Sequence, residues 1–394
     1  MIARAVRFAM VAGEASGDLL ASHLIQAIRA QAPNARFYGI GGPKMIGQGF
    51  DAWFPLETLA VRGYVEVLKH YREISGVRRE LKRRLLADVP DAFIGVDAPD
   101  FNLALEKTLK RRGVPVIHYV GPSIWAWRGK RIRAIGQSVS RVLVLFPFEP
   151  ALYEKAKIPV TYVGHPLADM LPLEDKRDEA RELLDVPGQQ PVFALLPGSR
   201  QSELAYMADT FIETARLIHQ RLPGVLFLAP MATRETRLLF EAALYRLQAH
   251  ELPIRLLFGH AHEAMAASDA VLVASGTATL EAALLKRPMV IAYKMATLSY
   301  RLMRRMNYLP YIGLPNILAD SFIVPEFIQD DATPENLAKA LLGFLEDKEI
   351  RARIAEVFHR IHLRLRQNTA EKAASAVLAS LPAEVREGAP LTAA

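Results

Sequence analysis

Three groups of residues in this chain have the types and spacing to do chemistry. The first is Asp97, which follows the apolar run Ala92 to Val96 and opens the stretch Asp97-Ala98-Pro99-Asp100-Phe101-Asn102. Such a run reads as a buried parallel strand, and ligands of open parallel sheets lie beyond the carboxyl ends of strands. A carboxylate there can serve as a general base. It can also cap the helix expected over Phe101 to Arg112, a task that suits Asp100 better. The second group is the turn Leu196-Pro197-Gly198-Ser199-Arg200-Gln201-Ser202-Glu203. Its form is strand to helix, an anion site, with Arg200 placed to neutralise a leaving phosphate; the plainer role for Arg200 is a salt bridge to Glu203.

The third group runs from Asp269 to Val290. A strand over Ala270 to Ala274 gives way to Ser275, Gly276, Thr277, Ala278 and Thr279, and then to a helix through Leu280, Ala283 and Leu284 that Lys286-Arg287-Pro288 ends. Unpaired amides and the helix dipole favour a phosphate at such a turn. Glu281 in the first turn can accept hydrogen bonds from a ribose, or only complement the dipole. Asn316, in the loop Tyr311 to Ala319, can bond a base or ribose, or only steady its turn.

The elements that would aim these groups alternate strand and helix twice. At 394 residues, with 51% apolar and 23% charged residues, the chain suits two globular domains. Residues 5–12 read as a strand entering Gly13-Glu14-Ala15-Ser16-Gly17-Asp18 and a helix from Leu19 to Arg29. Its two glycines let the backbone approach a ligand, and Ser16 or Asp18 can cap the helix. Phe37 to Gly42 fails as a dinucleotide fingerprint, because the spacing is wrong and it follows the second strand. Strands are expected at 114–120, where His118 reads as a hydrogen-bonded core histidine, and at 142–146, the last of this half. Val163-Gly164-His165-Pro166 reads as a linker. The second half then restarts at 192–196, 226–229, 254–258, 270–274 and 289–292. The expected architecture is α/β, two doubly wound Rossmann-like domains facing a cleft: 1–166, then 167–348, with helices at 349–381 last in the fold and a disordered tail at 382–394.

Charge and hydropathy narrow the partners. The net charge is +7 and there are no cysteines, which excludes disulfides and thiolate metal sites. The ten histidines form no HxxxH or paired-carboxylate pattern, and neither a GxSxG elbow nor a Walker A sequence is present. Residues 61–86 form a helical stripe through Val61, Val65, Leu68, Tyr71, Ile74, Val77, Leu81 and Leu85, flanked by eight Lys and Arg. That pattern suits either an anionic membrane surface or packing with a solvated basic face. Nucleic acid fits less well, since no recognition motif accompanies the charge. The loop Gly121 to Arg131 holds Trp125, Trp127, Arg128, Lys130 and Arg131, able to line a lipid-and-phosphate site or to cover the sheet. A basic apolar helix is expected at 297–308. No signal segment or bilayer-spanning run is evident, so the chain reads as cytoplasmic.

Together the motifs VAGEASGD (11–18), GIGGPKM (39–45), GVDAPDFN (95–102), HYVGPSIWAWR (118–128), LLPGSRQSE (195–203), ASGTATLE (274–281) and LPNILA (314–319) resemble the lipid-A-disaccharide synthase family. The resemblance implies a glycosyltransferase-B fold, with the helices at 349–381 returning to the first domain, and an inverting, metal-independent transfer that uses no cofactor. It implies UDP-2,3-diacylglucosamine as donor and 2,3-diacylglucosamine 1-phosphate as acceptor, with a β(1→6) disaccharide and UDP as products. Asp97 matches the family's proposed base. Arg200 and the amides of Ser275 to Thr279 would meet charge on departing UDP, with Glu281 and Asn316 on its ribose and uracil side. Gly13, Glu14, Ser16, Gly17, Asp18, Trp125 and Arg128 would face the acceptor. Lipid substrates favour Val65, Leu68 and Tyr71 as a docking face on the cytoplasmic side of an inner membrane. A homodimer is among the assemblies this allows.

Overall fold

The computed structural model describes residues 5–59, 64–126, 129–274, 276–297, 300 and 309–387, with the backbone alone over 64–71. They form two α/β units, Met1–Asp169 with Leu365–Ala394, and Met170–Arg364. In the first, β1 (Arg7–Ala12), β2 (Arg36–Gly41), β3 (Asp51–Pro55), β4 (Ala92–Val96), β5 (Val116–Tyr119), β6 (Arg141–Val144) and β7 (Val160–Tyr162) make a parallel sheet in the order β3-β2-β1-β4-β5-β6-β7. Its central strands are continuous apolar runs because both faces are covered. Phe8 and Met10 share one core with Leu24 and Ile28 of the helix Ala15–Gln31 and with Ala373 and Val377 of the helix Thr369–Ala379. Ala9 and Val11 face the other core, with Leu81, Leu85, Phe101, Leu105 and Leu109.

The order of strands reverses between β1 and β4, and the turns that follow them converge. A Cβ on Gly13 would stand 2.7 Å from the Cβ of Ala98. β3 and β7 were not expected. β3 carries Asp51 and Pro55 and lies at the sheet edge, where a proline is tolerated and the apolar signal is weak; β7 has three residues.

The second unit holds β8 (Val192–Leu196), β9 (Leu226–Met231), β10 (Ile254–Phe258), β11 (Ala270–Ala274), β12 (Met289–Tyr293) and β13 (Glu326–Ile328), parallel, in the order β10-β9-β8-β11-β12-β13. Here the order reverses between β8 and β11. The two turns singled out in this half therefore emerge side by side, where ligands of doubly wound sheets bind.

The closing helices divide between the units, where the sequence reading sent the whole of 349–381 to the first. The helix Lys348–Leu365 belongs to the second unit except at its last residue. Lys286 Nζ donates to His362 Nδ1 at 2.8 Å and to the Pro172 carbonyl at 2.9 Å, tying that helix to the end of the helix Thr277–Leu284. The chain then returns to the first unit, where the Asp169 carboxylate accepts the amides of Gln367 and Asn368 at 3.0 Å and Thr369 at 2.7 Å. Those three bonds satisfy the start of the helix Thr369–Ala379. Within the expected disordered tail, Ala383–Glu387 is helical and Val385 packs against the core.

The basic helix spans Tyr64–Ala87. Leu81 and Leu85 are fully buried, and Ile74 and Val77 pack on the same core, so this end of the apolar stripe covers the sheet. The side chains of Val65, Leu68 and Tyr71 lie outside those described, as do residues 298, 299 and 301–308 of the second basic segment. Among the described residues, no helix is long and apolar enough to cross a membrane.

Candidate active site

A cavity of about 540 Å³ opens at the reversal point of the second sheet. Its walls come from the ends of β8, β9, β11 and β12: Arg200 and Glu203, Met231, Gly276, Thr277, Ala278 and Glu281, Tyr293 and Met295, with Ile312 closing one side. Arg200 opens the helix Gln201–Arg221, and its side chain keeps 60% exposure with Nη1 at 3.7 Å from Glu203 Oε1. The Glu203 carboxylate accepts the amides of Ser199 at 3.1 Å and Arg200 at 3.3 Å. This turn is therefore capped from within, and the expected second anion site is partly occupied by the chain's own carboxylate. Gly198 makes room for it: at φ +127° it is strained for other residues, and a Cβ would meet Glu203 at 2.6 Å.

The β11 turn is left more open. Gly276 precedes the helix Thr277–Leu284 with φ +133° and nothing within 4 Å of where a Cβ would be. The amides of Thr277 and Ala278 begin a helix and have no intrahelical acceptor. Thr279 is different. It is fully buried and its hydroxyl donates back to the Gly276 carbonyl at 2.7 Å, so it braces the turn instead of facing the cavity. Ser275 lies outside the described residues. Glu281 lines the cavity and meets His262 Nε2 at 3.2 Å, a contact that raises the imidazole pKa against the effect of burial.

Asn316 is also corrected. It is fully buried: its Nδ2 donates to Val324 O (2.9 Å) and Glu326 Oε1 (2.8 Å), and its Oδ1 accepts from the amides of Ile323 (2.8 Å) and Val324 (3.0 Å). All four bonds of a primary amide are used within the chain. Glu326 in turn accepts the amides of Ile312 and Gly313, each at 2.8 Å. Asn316 thus positions the loop that brings Ile312 to the cavity. Gln329 does the same for Met295, bonding its amide at 2.7 Å and its carbonyl at 3.0 Å. Tyr293 completes the wall; burial pushes its hydroxyl pKa up, Glu203 adds to that and Arg200 opposes it. His262, Tyr293 and Gln329 carry no periodic or motif signal, and the sequence reading missed all three.

In the first unit, Asp97 follows the end of β4 half-buried, with φ +52°, and Ala98 comes next at φ +43°. The helix after it, Pro99–Lys110, has Ala98 as its N-cap and no side-chain cap. Asp100 sits inside its first turn, paired with Arg131, and is not the cap the sequence suggested. Glu14 is half-buried and Ser16 exposed in the β1 turn, whereas Gly17 is buried, with a Cβ there falling 3.6 Å from Val96 Cγ1, and Asp18 is buried. The Asp18 carboxylate accepts three amides of the GGPKM turn and has no face toward a ligand. Trp125 lies edge-on to Phe146 and Phe148, at 6.3 and 5.2 Å between ring centres, and so covers the sheet end. Its indole bonds Glu149, whose carboxyl is pushed up to about 8 by burial, against the opposing effect of the Phe146 and Leu145 amides. Trp127 and Arg128 lie outside the described residues. His118 is buried, as expected, with Glu106 as an unforeseen partner at 2.6 Å.

Two doubly wound parallel sheets, each with motif turns at its reversal point, define the glycosyltransferase-B architecture. Solved structures share it. The UDP-GlcNAc 2-epimerase of Neisseria meningitidis superposes with a TM-score of 0.63 at 12% identity, covering 96% of this chain and 99% of that one. A glycosyltransferase of Rickettsia africae superposes at 0.58 and 11%, covering 97% and 99%. At such identities the likeness shows the fold alone. Sequence relatives narrow it further. The lipid-A-disaccharide synthases of Dechloromonas aromatica and Aromatoleum aromaticum are 65% and 64% identical, covering 96% and 95% of this chain and 99% and 96% of theirs. Residues 8–380 match the family described as lipid-A-disaccharide synthetase, and the chain belongs to that family.

Proposed function

We propose that this chain transfers 2,3-diacylglucosamine from its UDP conjugate to the 6-hydroxyl of 2,3-diacylglucosamine 1-phosphate, forming the β(1→6) lipid A disaccharide 1-phosphate and UDP. The observation that carries this reading is the convergence of Arg200, Thr277, Ala278 and Glu281 on one cavity, in a chain of this family. About 540 Å³ is within the range of nucleotide-sized sites.

Each role follows from what the group can do. The amides of Thr277 and Ala278, at the positive end of a helix, take the diphosphate. Arg200 adds a mobile cation that strengthens its hold as charge grows on the leaving UDP. Glu281 accepts from the ribose hydroxyls. Met231, Met295 and Ile312 offer apolar surface to the uracil. Asp97 removes the proton of the acceptor hydroxyl as its oxygen attacks the anomeric carbon from the face opposite UDP, so the α-linked donor gives a β-linked product. Glu14 and Ser16 lie toward the acceptor. Both substrates carry acyl chains, and the N-terminal end of the basic helix, with Val65, Leu68 and Tyr71, docks the protein on the membrane that holds them.

The reaction is tested by mass spectrometry of the protein incubated with both diacylated substrates in detergent, beside an Asp97→Ala control. Disaccharide 1-phosphate and UDP, absent in the control, are the expected result. UDP released without disaccharide would mean a different acceptor. Docking is tested by flotation with anionic vesicles, which Val65→Ser/Leu68→Ser/Tyr71→Ser should abolish.

A further inference from the structure

Asp97 and Ala98 are consecutive non-glycine residues with left-handed backbones, at φ +52° and +43°. Such a pair is strained and persists only where its surroundings enforce it. The enforcing contacts come from one buried polar cluster. Asn102, fully buried, donates from Nδ2 to the Asp97 carbonyl at 2.8 Å, and its amide donates to the Ala98 carbonyl at 3.0 Å. One helical turn on, Glu106 is also fully buried, with Oε1 at 2.6 Å from Nδ1 of His118 on β5. Both side chains lie directly over β4. A Cβ on Gly95, two residues before Asp97, would fall 2.1 Å from Glu106 Oε1 and 3.2 Å from Asn102 Cγ.

This cluster is a poor way to fill a core. Replacing a buried carboxylate–imidazole pair by apolar side chains of similar volume is often neutral or stabilising. Three atoms in it, Asn102 Oδ1, Glu106 Oε2 and His118 Nε2, are buried without a hydrogen-bond partner. Its electrostatics also reach Asp97. Burial pushes the His118 imidazole down, yet Glu106 and, after it, Asp97 raise it overall.

We propose that Asn102, Glu106 and His118 are positioning residues for Asp97, clamped over Gly95 to hold its turn in the left-handed geometry from which the carboxylate reaches the acceptor hydroxyl. The proposal rests on the reading of Asp97 as the base. Asn102 fixes the carbonyl of Asp97, Glu106 fills the space that Gly95 leaves, and His118 anchors Glu106 from the neighbouring strand.

The test is a double-mutant cycle on the full-length enzyme, following disaccharide formation by mass spectrometry and nucleotide binding by UDP titration. His118→Leu and Asn102→Ala are each measured alone and with Asp97→Asn. Alone, each should lower kcat by about tenfold or more with UDP affinity within about twofold. His118→Asn keeps a donor near the Nδ1 position and should recover most of that loss. In the Asp97→Asn background the same changes should be nearly silent, since the group they serve is already gone. A loss of equal size in both backgrounds, with melting temperatures unchanged, would overturn the proposal while leaving Asp97 as base. Near-normal turnover by Asp97→Asn itself would remove the base and this proposal together. Should His118→Leu fail to fold, Asn102→Ala decides alone, because it cuts the bond to Asp97 without touching the buried pair.

Discussion

The carboxylate of Asp18 accepts the backbone amide of Gly42 at 2.9 Å, and with it those of Lys44 at 3.0 Å and Met45 at 3.1 Å. The start of the helix Ala15–Gln31 is thereby bolted to the start of the helix Pro43–Gly47. Gly42 must be glycine for this to happen, as a Cβ would stand 2.7 Å from Asp18 Cγ. Two of the motifs that look like ligand turns are thus partly one another's ligands. Asp18→Ala leaves buried donors without an acceptor, which costs about 1–3 kcal/mol for each group. The expected outcome is a loss of about 3 kcal/mol or more in urea unfolding, with the acceptor KM of the folded enzyme little changed. A normal unfolding midpoint with a raised acceptor KM would return Asp18 to the binding site.

Asn316 makes the parallel case in the second unit. Its amide group serves Ile323, Val324 and Glu326, and through Glu326 it holds Ile312 at the cavity wall. Asn316→Ala should cost about 3 kcal/mol in stability and weaken UDP binding only in step with loosening of the loop. If the variant melts like the parent and still binds UDP far more weakly, Asn316 touches the nucleotide directly.

What could be read from the chain follows the physics of each signal. β4, β8 and β11 match the expected bounds to the residue, because a strand buried on both faces is an unbroken apolar run that ends where the site begins; β10, an edge strand that holds Arg255, matches as well on its four apolar residues. The edge strand β3, with Asp51 and Pro55, carries no such run. Helical periodicity revealed the stripe on the basic helix but not what covers it, and Leu81 and Leu85 prove to face the sheet. That Arg200, Thr277, Ala278 and Glu281 line one cavity was legible since a strand-to-helix turn fixes where its amides and first side chains point. Asp18, Thr279 and Asn316 were misread for one reason. A small polar residue beside glycines looks the same whether it faces a ligand or a distant backbone amide, and the deciding partners lie elsewhere in the chain.

Glu149 gives the enzyme a pH-dependent stability. Its carboxyl is pushed up to about 8 by burial, only partly offset by the amides and indole it accepts. An unfolded glutamate titrates near about 4.3, so between there and about 8 the folded state binds the extra proton. Stability contributed by this group is then fully present below the unfolded value and is lost as pH rises through the folded one. The parent should melt at a lower temperature at pH 8 than at pH 6, and Glu149→Gln, which keeps an acceptor and cannot ionise, should flatten that difference. An unchanged slope in the variant would assign the pH dependence to other groups.

The contact between His262 and Glu281 adds a second titration, at the cavity of the second unit itself. The hydrogen bond to Glu281 raises the His262 imidazole, more than burial lowers it. The unfolded imidazole titrates near about 6.5, so the pair's contribution is complete below that pH and fades as pH climbs through the raised folded value. Side-chain NMR of isotopically labelled histidine should find His262 titrating above its ordinary value, and Glu281→Gln should bring it back. Glu281 is also the proposed ribose acceptor, so the same variant should weaken UDP binding by about tenfold, the loss of one hydrogen bond to a charged group. His262→Gln should leave UDP affinity within about threefold, because it removes only the residue that steadies the carboxylate. An imidazole that titrates normally in the parent would break the link between the two residues. A Glu281→Gln protein that binds UDP as tightly as the parent would put the ribose on another group.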